Sequence, residues 1–272
     1  MSGKSPAPAE IDAWAAEILA GRKYRELGIP VETIQDLIRQ ELPRHRAPKA
    51  AIQAVREKLH NIIAPYLGDP DYAQAALEME DHSATEIGRD FSRRMLEAHA
   101  STRERLPDLE EFYPRLFAIT GKPASVLDLA CGMHPFGLPW MGLDRDAQYY
   151  AYDVHAPRVA LINRFLVWNG MQPLAVLQDV LLHPPQVEAE VAFFFKEAHR
   201  FEQRQHGCNR AFWRALQVKW LLVSLPAASL TGRHDLAEGH RRLVYATLEG
   251  LDWPVTEIQI GNELVFCLRC RE

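Results

Sequence analysis

Three acids, Asp128, Asp153 and Asp179, stand in an order that suits recognition of a nucleoside. Asp128 interrupts the apolar run Ser-Val-Leu-Asp-Leu, and Ala130, Cys131 and Gly132 follow as a turn of small residues. A buried strand ending in an acid and such a turn is how a Rossmann-like sheet opens a nucleotide site, because only small residues let the backbone approach a ligand closely. The run reads D-x-A-x-G and not G-x-G-x-x-G, so a dinucleotide pyrophosphate is not the expected ligand. Asp153 closes Tyr-Tyr-Ala-Tyr-Asp about 20 residues past the glycine turn, where a carboxylate accepting two hydrogen bonds suits a ribose diol. Asp179 follows a third candidate strand in Leu-Gln-Asp-Val. Alone, Asp153 or Asp179 reads as a helix N-cap; the ordered set carries the signal. Upstream, His99-Ala100-Ser101-Thr102-Arg103-Glu104-Arg105-Leu106 is dense in hydrogen-bonding groups. Ser101 and Glu104 have capping-box spacing, and Arg105 offers a fork shaped for a carboxylate.

The elements that must hold these residues divide near residue 105. Before it, Ile11, Trp14, Ile18 and Leu19, then Val31, Ile34, Leu37 and Ile38, then Ile52, Val55 and Leu59 recur at helical spacing, and Glu78–Glu97 continues as a polar helical segment. After about residue 122, strands alternate with helix-length stretches such as Pro157–Asn169. Candidate strands are Ser125–Leu129, Gln148–Tyr152, Leu174–Leu177, Val191–Phe195, Trp220–Leu225, Val255–Ile260 and Glu263–Leu268. That alternation predicts a mainly parallel, doubly wound sheet, and Gly261-Asn262 between the last two strands predicts a terminal hairpin. The division is a helical domain over 1–105 and a catalytic domain over 106–272.

The 272 residues include no apolar run long enough to span a membrane and no apolar signal core near Met1, so a cytoplasmic protein without a membrane partner is expected. The four cysteines suggest no disulfide framework, and Cys267-x-x-Cys270 without a second pair suggests no metal. A net charge of −5 argues against non-specific binding to DNA or RNA by the whole surface. Locally, Arg39, Arg44, Arg46, Lys49, Arg56 and Lys58 face only Glu41 and Glu57, a candidate contact for an anionic partner.

The Leu-Asp-Leu-Ala-Cys-Gly run resembles the first motif of S-adenosyl-L-methionine-dependent methyltransferases, in which Asp179 would accept from the adenine amino group. With His-Ala-Ser-Thr-Arg-Glu-Arg-Leu and Ile-Gly-Asn-Glu-Leu at 260–264, the chain from Tyr24 to Phe266 resembles the aminoglycoside-resistance 16S rRNA (guanine(1405)-N(7))-methyltransferases of the Arm/Rmt/Sgm/FmrO type. The N-terminal half is similar in Arg22-Lys23-Tyr24, Arg44-His45-Arg46-Ala47-Pro48-Lys49 and Lys58-Leu59-His60. The resemblance implies an α/β class I methyltransferase domain, Rossmann-like, with a mainly parallel seven-stranded sheet and a terminal hairpin, behind an all-helical N-terminal domain that docks on the 30S subunit. It implies S-adenosyl-L-methionine as cofactor, S-adenosyl-L-homocysteine as product and 16S rRNA as partner; a monomer is expected.

Carried over by motif, Tyr66, His99, Ala100, Ser101 and Arg105 belong to the cofactor site, with Arg105 facing the methionine carboxylate. Ala130, Gly132, Asp153, Asp179, Val180 and Phe195 join them, beside Asp128 and Gln178. Lys196 would position the target base, and Arg22, Lys23, Arg25, Arg44, Arg46, Lys49, Arg56 and Lys58 would meet rRNA phosphates. Guanine N7 carries a lone pair and no proton, so no general base is expected and in-line geometry carries the reaction. His134, His155 and His199 are accordingly read as surface or hydrogen-bonded residues.

Three segments depart from the family pattern: His134 for Asn, Glu197-Ala198-His199-Arg200 for a Leu-Pro pair with an apolar flank, and the segment 225–240. Cofactor motifs persist where target-facing loops have drifted. A methyltransferase with another RNA or small-molecule target, and a ribosome-binding protein with weak or no turnover, therefore stand as alternatives.

Overall fold

The computed structural model of the chain describes residues 6–63, 70–228 and 235–271. The helical spacings of the first part become α1 (Pro8–Ala20), α2 (Val31–Glu41) and α3 (Pro48–Ile63). Their apolar stripes, including Ile11, Ile18, Ile34, Leu37, Val55 and Leu59, close on one another as a separate small core. The segment expected as one helix over Glu78–Glu97 is two, α4 (Tyr72–Asp81) and α5 (Ala84–Ala98). Asp71 caps α4 by accepting from the Ala73 and Gln74 N–H groups, and the extended backbone of His82 ends it. A break this short leaves the hydrophobic period almost intact, which is why the periodicity runs through it.

Two further helices, α6 (Ala100–Arg103) and α7 (Leu109–Thr120), lead into β1 (Ser125–Leu129). Then come α8 (Leu138–Met141), β2 (Gln148–Asp153), α9 (Ala156–Trp168), β3 (Ala175–Leu177), β4 (Glu188–Phe195), α10 (Ala198–Arg204), α11 (Cys208–Ala215), β5 (Gln217–Pro226), α12 (Ala237–Leu248), β6 (Val255–Ile260) and β7 (Glu263–Arg269). The sheet order is β3-β2-β1-β4-β5-β7-β6. All pairs from β3 to β5 are parallel, and β7 is antiparallel to both β5 and β6. The β4 residues Val191 and Phe193 enter the core on one face, while Ala192 and Phe194 enter the core on the other. Burial on both faces explains why the central strands read as unbroken apolar runs.

Ile260 pairs with Glu263, so Gly261-Asn262 is the two-residue hairpin turn expected from the sequence. Gly261 has φ +52°, and a Cβ there would fall 1.9 Å from Asp108 Oδ2. Glycine takes that conformation without strain and leaves room for the Asp108 carboxylate.

The division at 105 does not match the cores. Met79 of α4 and Phe91, Met95 and Leu96 of α5 are buried with Phe136, Phe165 and Leu116 under the sheet. The apolar boundary therefore falls between α3 and α4. Periodicity shows which face of a helix is buried, but not against what.

Candidate functional site

The strands run outward in opposite directions from β1 and β4, and ligands of open α/β sheets sit at such a switch point beyond the carboxyl ends. A two-lobed cavity opens there. One lobe is bordered by His99, Ser101, Arg105, Asp128, Gly132, Phe195 and Lys196. The other, about 150 Å³, is bordered by Gln178, Asp179 and Val180, with Leu37, Lys58 and Ile62 of the N-terminal helices as its far wall. Ala130, Asp153, Glu197 and Arg200 border both lobes. The expected cofactor residues are thus brought together, except that Ala100 lies between His99 and Ser101 without bordering a lobe and Tyr66 lies outside the described residues.

The turn after β1 is built as its residues suggest. Ala130 and Gly132 take φ of +50° and +54°, and the Cys131 N–H donates to the Tyr152 carbonyl at 2.9 Å. Ala130 and Lys196 (φ +61°) are the non-glycine residues with positive φ among the described residues, and both border this cavity. Such strain, about 1–3 kcal/mol each, collects where a site needs a fixed backbone path.

Asp153 is buried. Its Oδ2 accepts from the Gly132 N–H at 2.9 Å and from Arg158 Nη1 at 3.3 Å, and its Oδ1 accepts from the His155 N–H at 2.9 Å. It caps no helix, since His155 occupies the N-cap of α9. Asp128 turns to the rear wall, where its Oδ2 accepts from the Tyr149 hydroxyl at 2.7 Å and lies 2.9 Å from His134 Nδ1. His134 is buried edge-on to Phe193 and Phe195, with ring centroids 5.1 and 4.9 Å away. It braces Asp128. Asp179 Oδ2 accepts from Thr33 Oγ1 at 2.9 Å and from Arg204 Nη1 at 2.7 Å. That carboxylate joins α2 to α10 across the cavity.

Ser101 forms no capping box. His99 holds the N-cap position of α6, Ser101 Oγ turns back to His99 Nδ1 at 2.8 Å, and Glu104 Oε2 accepts from Lys196 Nζ at 2.7 Å. The Arg105 fork is engaged within the protein: Nε and Nη2 donate to the two carboxylate oxygens of Glu263 at 2.9 and 2.8 Å. The rings of Phe112 and Phe195 lie 4.2 and 4.8 Å from its guanidinium carbon. Lys196 Nζ also donates to the Ser101 carbonyl at 2.9 Å and lies 3.4 Å from Glu263 Oε1. Burial alone would raise the Glu263 carboxyl; Arg105 and Lys196 reverse this and hold it at about 2. The sequence reading missed Glu263, Thr33 and Arg204 as site residues. Only Glu263 leaves a trace, as the acid of the Ile-Gly-Asn-Glu-Leu run at 260–264 that opens the last apolar strand.

The basic face is smaller than its composition. Glu41, buried, binds Arg44 (2.9 Å), His45 (3.1 Å) and Lys58 (2.6 Å), so Lys58 belongs to the cavity wall and not to the exposed face. Arg56 pairs with Glu17 at 3.0 Å, and Lys23 Nζ lies 2.6 Å from His60 Nδ1. Arg22, Arg25, Arg46 and Lys49 are exposed, and no ion pair engages them among the described residues. His199 packs beside His240 with ring centroids 5.5 Å apart, and burial pushes its imidazole down to about 4.

The sequence model of the family described as ribosomal RNA methyltransferase (FmrO) matches residues 20–267. A 16S rRNA (guanine(1405)-N(7))-methyltransferase of Serratia marcescens is 32% identical over 256 residues, covering 93% of this chain and 95% of the relative. The structure of the 16S rRNA methylase RmtB is similar with a TM-score of 0.77 and 27% identity, covering 97% of this chain and 99% of that one. The structure of the 16S rRNA methyltransferase RmtF in complex with S-adenosyl-L-homocysteine is similar with a TM-score of 0.77 and 25% identity, over the same shares of the two chains.

Proposed function

The chain belongs to the ribosomal RNA methyltransferase (FmrO) family, and on that premise we propose that it methylates N7 of guanine 1405 in 16S rRNA of the assembled 30S subunit. The observation that carries this reading is the likeness to the Serratia marcescens enzyme over nearly the full length of both chains. The enzyme is dependent on S-adenosyl-L-methionine, which supplies an electrophilic methyl group on a sulfonium.

The residues of the cavity fit that cofactor. Asp153 borders both lobes, and its Oδ1 has a single donor among the described residues, which leaves acceptor capacity for ribose hydroxyls. Gln178, Asp179 and Val180 border the lobe we assign to adenine. His99, Ser101 and Gly132 border the lobe we assign to the methionine part, where Arg105 stands behind with Nη1 as the nitrogen not given to Glu263. Lys196 has acceptors for its ammonium donors, which suits fixed positive charge beside an incoming base and not proton abstraction. No base is needed, because the N7 lone pair attacks the methyl carbon directly; the chain's task is alignment and exclusion of water. The methylated guanine gains bulk and positive charge at the decoding site, the reading under which it would confer aminoglycoside resistance in the cytoplasm.

Labelling 30S subunits and free 16S rRNA with radioactive S-adenosyl-L-methionine and mapping the methyl group tests the target. Label at guanine 1405 in 30S subunits is the expected result, and label at another nucleotide overturns it.

Docking on rRNA is assigned to the exposed cations. The double charge reversal Arg46→Glu with Lys49→Glu is expected to weaken 30S binding at least about tenfold and to lower the salt dependence by roughly two phosphate contacts. Cofactor affinity should stay unchanged, since neither residue borders the cavity. Equal 30S affinity in filter binding across a salt series removes that patch from the docking surface.

A further inference from the structure

Glu197 stands at the waist of the cavity, one of the residues that border both lobes. Its carboxylate receives no hydrogen bond from the described residues; the nearest cation is Arg200, with Nε 3.7 Å from Oε1. The neighbouring Lys196 gives its ammonium to Ser101, Glu104 and Glu263. Arg158 is engaged with Asp153. Burial pushes the Glu197 carboxyl up to about 7; the Asp153 charge adds to this, while Arg200 and Arg158 oppose it. The Glu197 side chain is 23% exposed toward the cavity, so water solvates the carboxylate only in part, and a ligand that displaces this water leaves the charge uncompensated unless it brings positive charge of its own.

We propose that Glu197 reads the charge of the cofactor, its carboxylate facing the sulfonium of S-adenosyl-L-methionine and favouring the cationic donor over the neutral product. The inference rests on the assignment of the cavity as the cofactor site. With adenine toward Asp179, the methionine part toward Gly132 and ribose on Asp153, the sulfur that links ribose to the methionine chain would lie at the waist that Asp153 and Glu197 border. In the reaction the N7 lone pair forms the new carbon–nitrogen bond as the carbon–sulfur bond breaks, its electron pair returning to sulfur. The positive charge leaves with the guanine. Sulfur beside Glu197 is then neutral, and the electrostatic hold on the cofactor is gone. The same carboxylate that strengthens donor binding thereby lets the product go.

Calorimetry at pH 8, where the carboxyl is ionised, compares three ligands: S-adenosyl-L-methionine, S-adenosyl-L-homocysteine, and sinefungin, which carries an ammonium near the sulfonium position. The native protein is expected to bind both cations more tightly than S-adenosyl-L-homocysteine by about tenfold, a modest share of a unit-charge interaction at protein dielectric. Glu197→Gln keeps the volume and should bring both ratios close to one, by weakening the cations and leaving S-adenosyl-L-homocysteine within about twofold. Glu197→Asp keeps the charge and should retain most of the preference, and it serves as the comparison with the native protein if the glutamine variant does not fold. Unchanged ratios in Glu197→Gln, or a preference lost in a folded Glu197→Asp, overturn the inference. A native protein that binds none of the three overturns the cofactor-site assignment instead, so the two failures are told apart.

Discussion

Glu263→Gln is expected to destabilise the protein by about 3–5 kcal/mol, the cost of leaving a buried cation without its counter-ion. Arg105 is 4% exposed and Glu263 is 2% exposed, so water cannot take over the role of the lost charge. The same substitution also loosens Lys196, which lies 3.4 Å from Glu263. Surface pairs such as Arg115–Glu111, at 3.7 Å and with both side chains exposed, contribute about 0–1 kcal/mol and set the contrast. Urea midpoints of the native and variant proteins measure the effect, and their pH dependence identifies its source. The Glu263 carboxyl has an ordinary value near 4.5 and is held at about 2 in the fold. A depressed value means its contribution is complete above 4.5 and is lost as pH falls through 2. The gap between native protein and variant should therefore narrow between pH 4.5 and 2. A gap that stays constant over that window would show that the pair stabilises through packing and not through charge.

Asp153→Ala is expected to abolish cofactor binding, with affinity for S-adenosyl-L-homocysteine falling by about 10²–10⁴ if two hydrogen bonds to a charged acceptor are lost. The substitution also takes the acceptor from the Gly132 and His155 N–H groups and the counter-ion from the fully buried Arg158. Thermal melting must accompany the calorimetry, and Asp153→Asn, which keeps the shape, is the companion variant. A folded Asp153→Asn protein with native affinity removes ribose binding from this residue's roles.

Much of the framework is legible along the chain. The expected strands Ser125–Leu129 and Val255–Ile260 coincide with β1 and β6. Strands buried on both faces are continuous apolar runs, and small-residue or Gly-Asn turns mark their ends. The acids Asp128, Asp153 and Asp179 do gather at one cavity, because each lies at or just past the carboxyl end of a parallel strand and parallel strands all end on the same side of a sheet. The break at His82 and Ser83 and the packing of α4 and α5 under the sheet are not legible. Both depend on what a helix meets and not on its period.

The partners of the site's charges are further out of reach. Arg105 binds Glu263 across 158 residues of chain, and Thr33 binds Asp179 across 146. Glu41 is one of two acids among six cations in the sequence of 39–58, yet in the fold it alone binds three basic side chains. The sequence points Arg105 at a cofactor carboxylate; the fold first gives two nitrogens of its fork to Glu263. Strand order, turn chemistry and family membership are written in local runs of residues, since each follows from neighbours a few positions apart. Whether a charge stays free for a ligand or is consumed by the protein depends on which distant group folding brings to within 3 Å, and no local pattern encodes that distance.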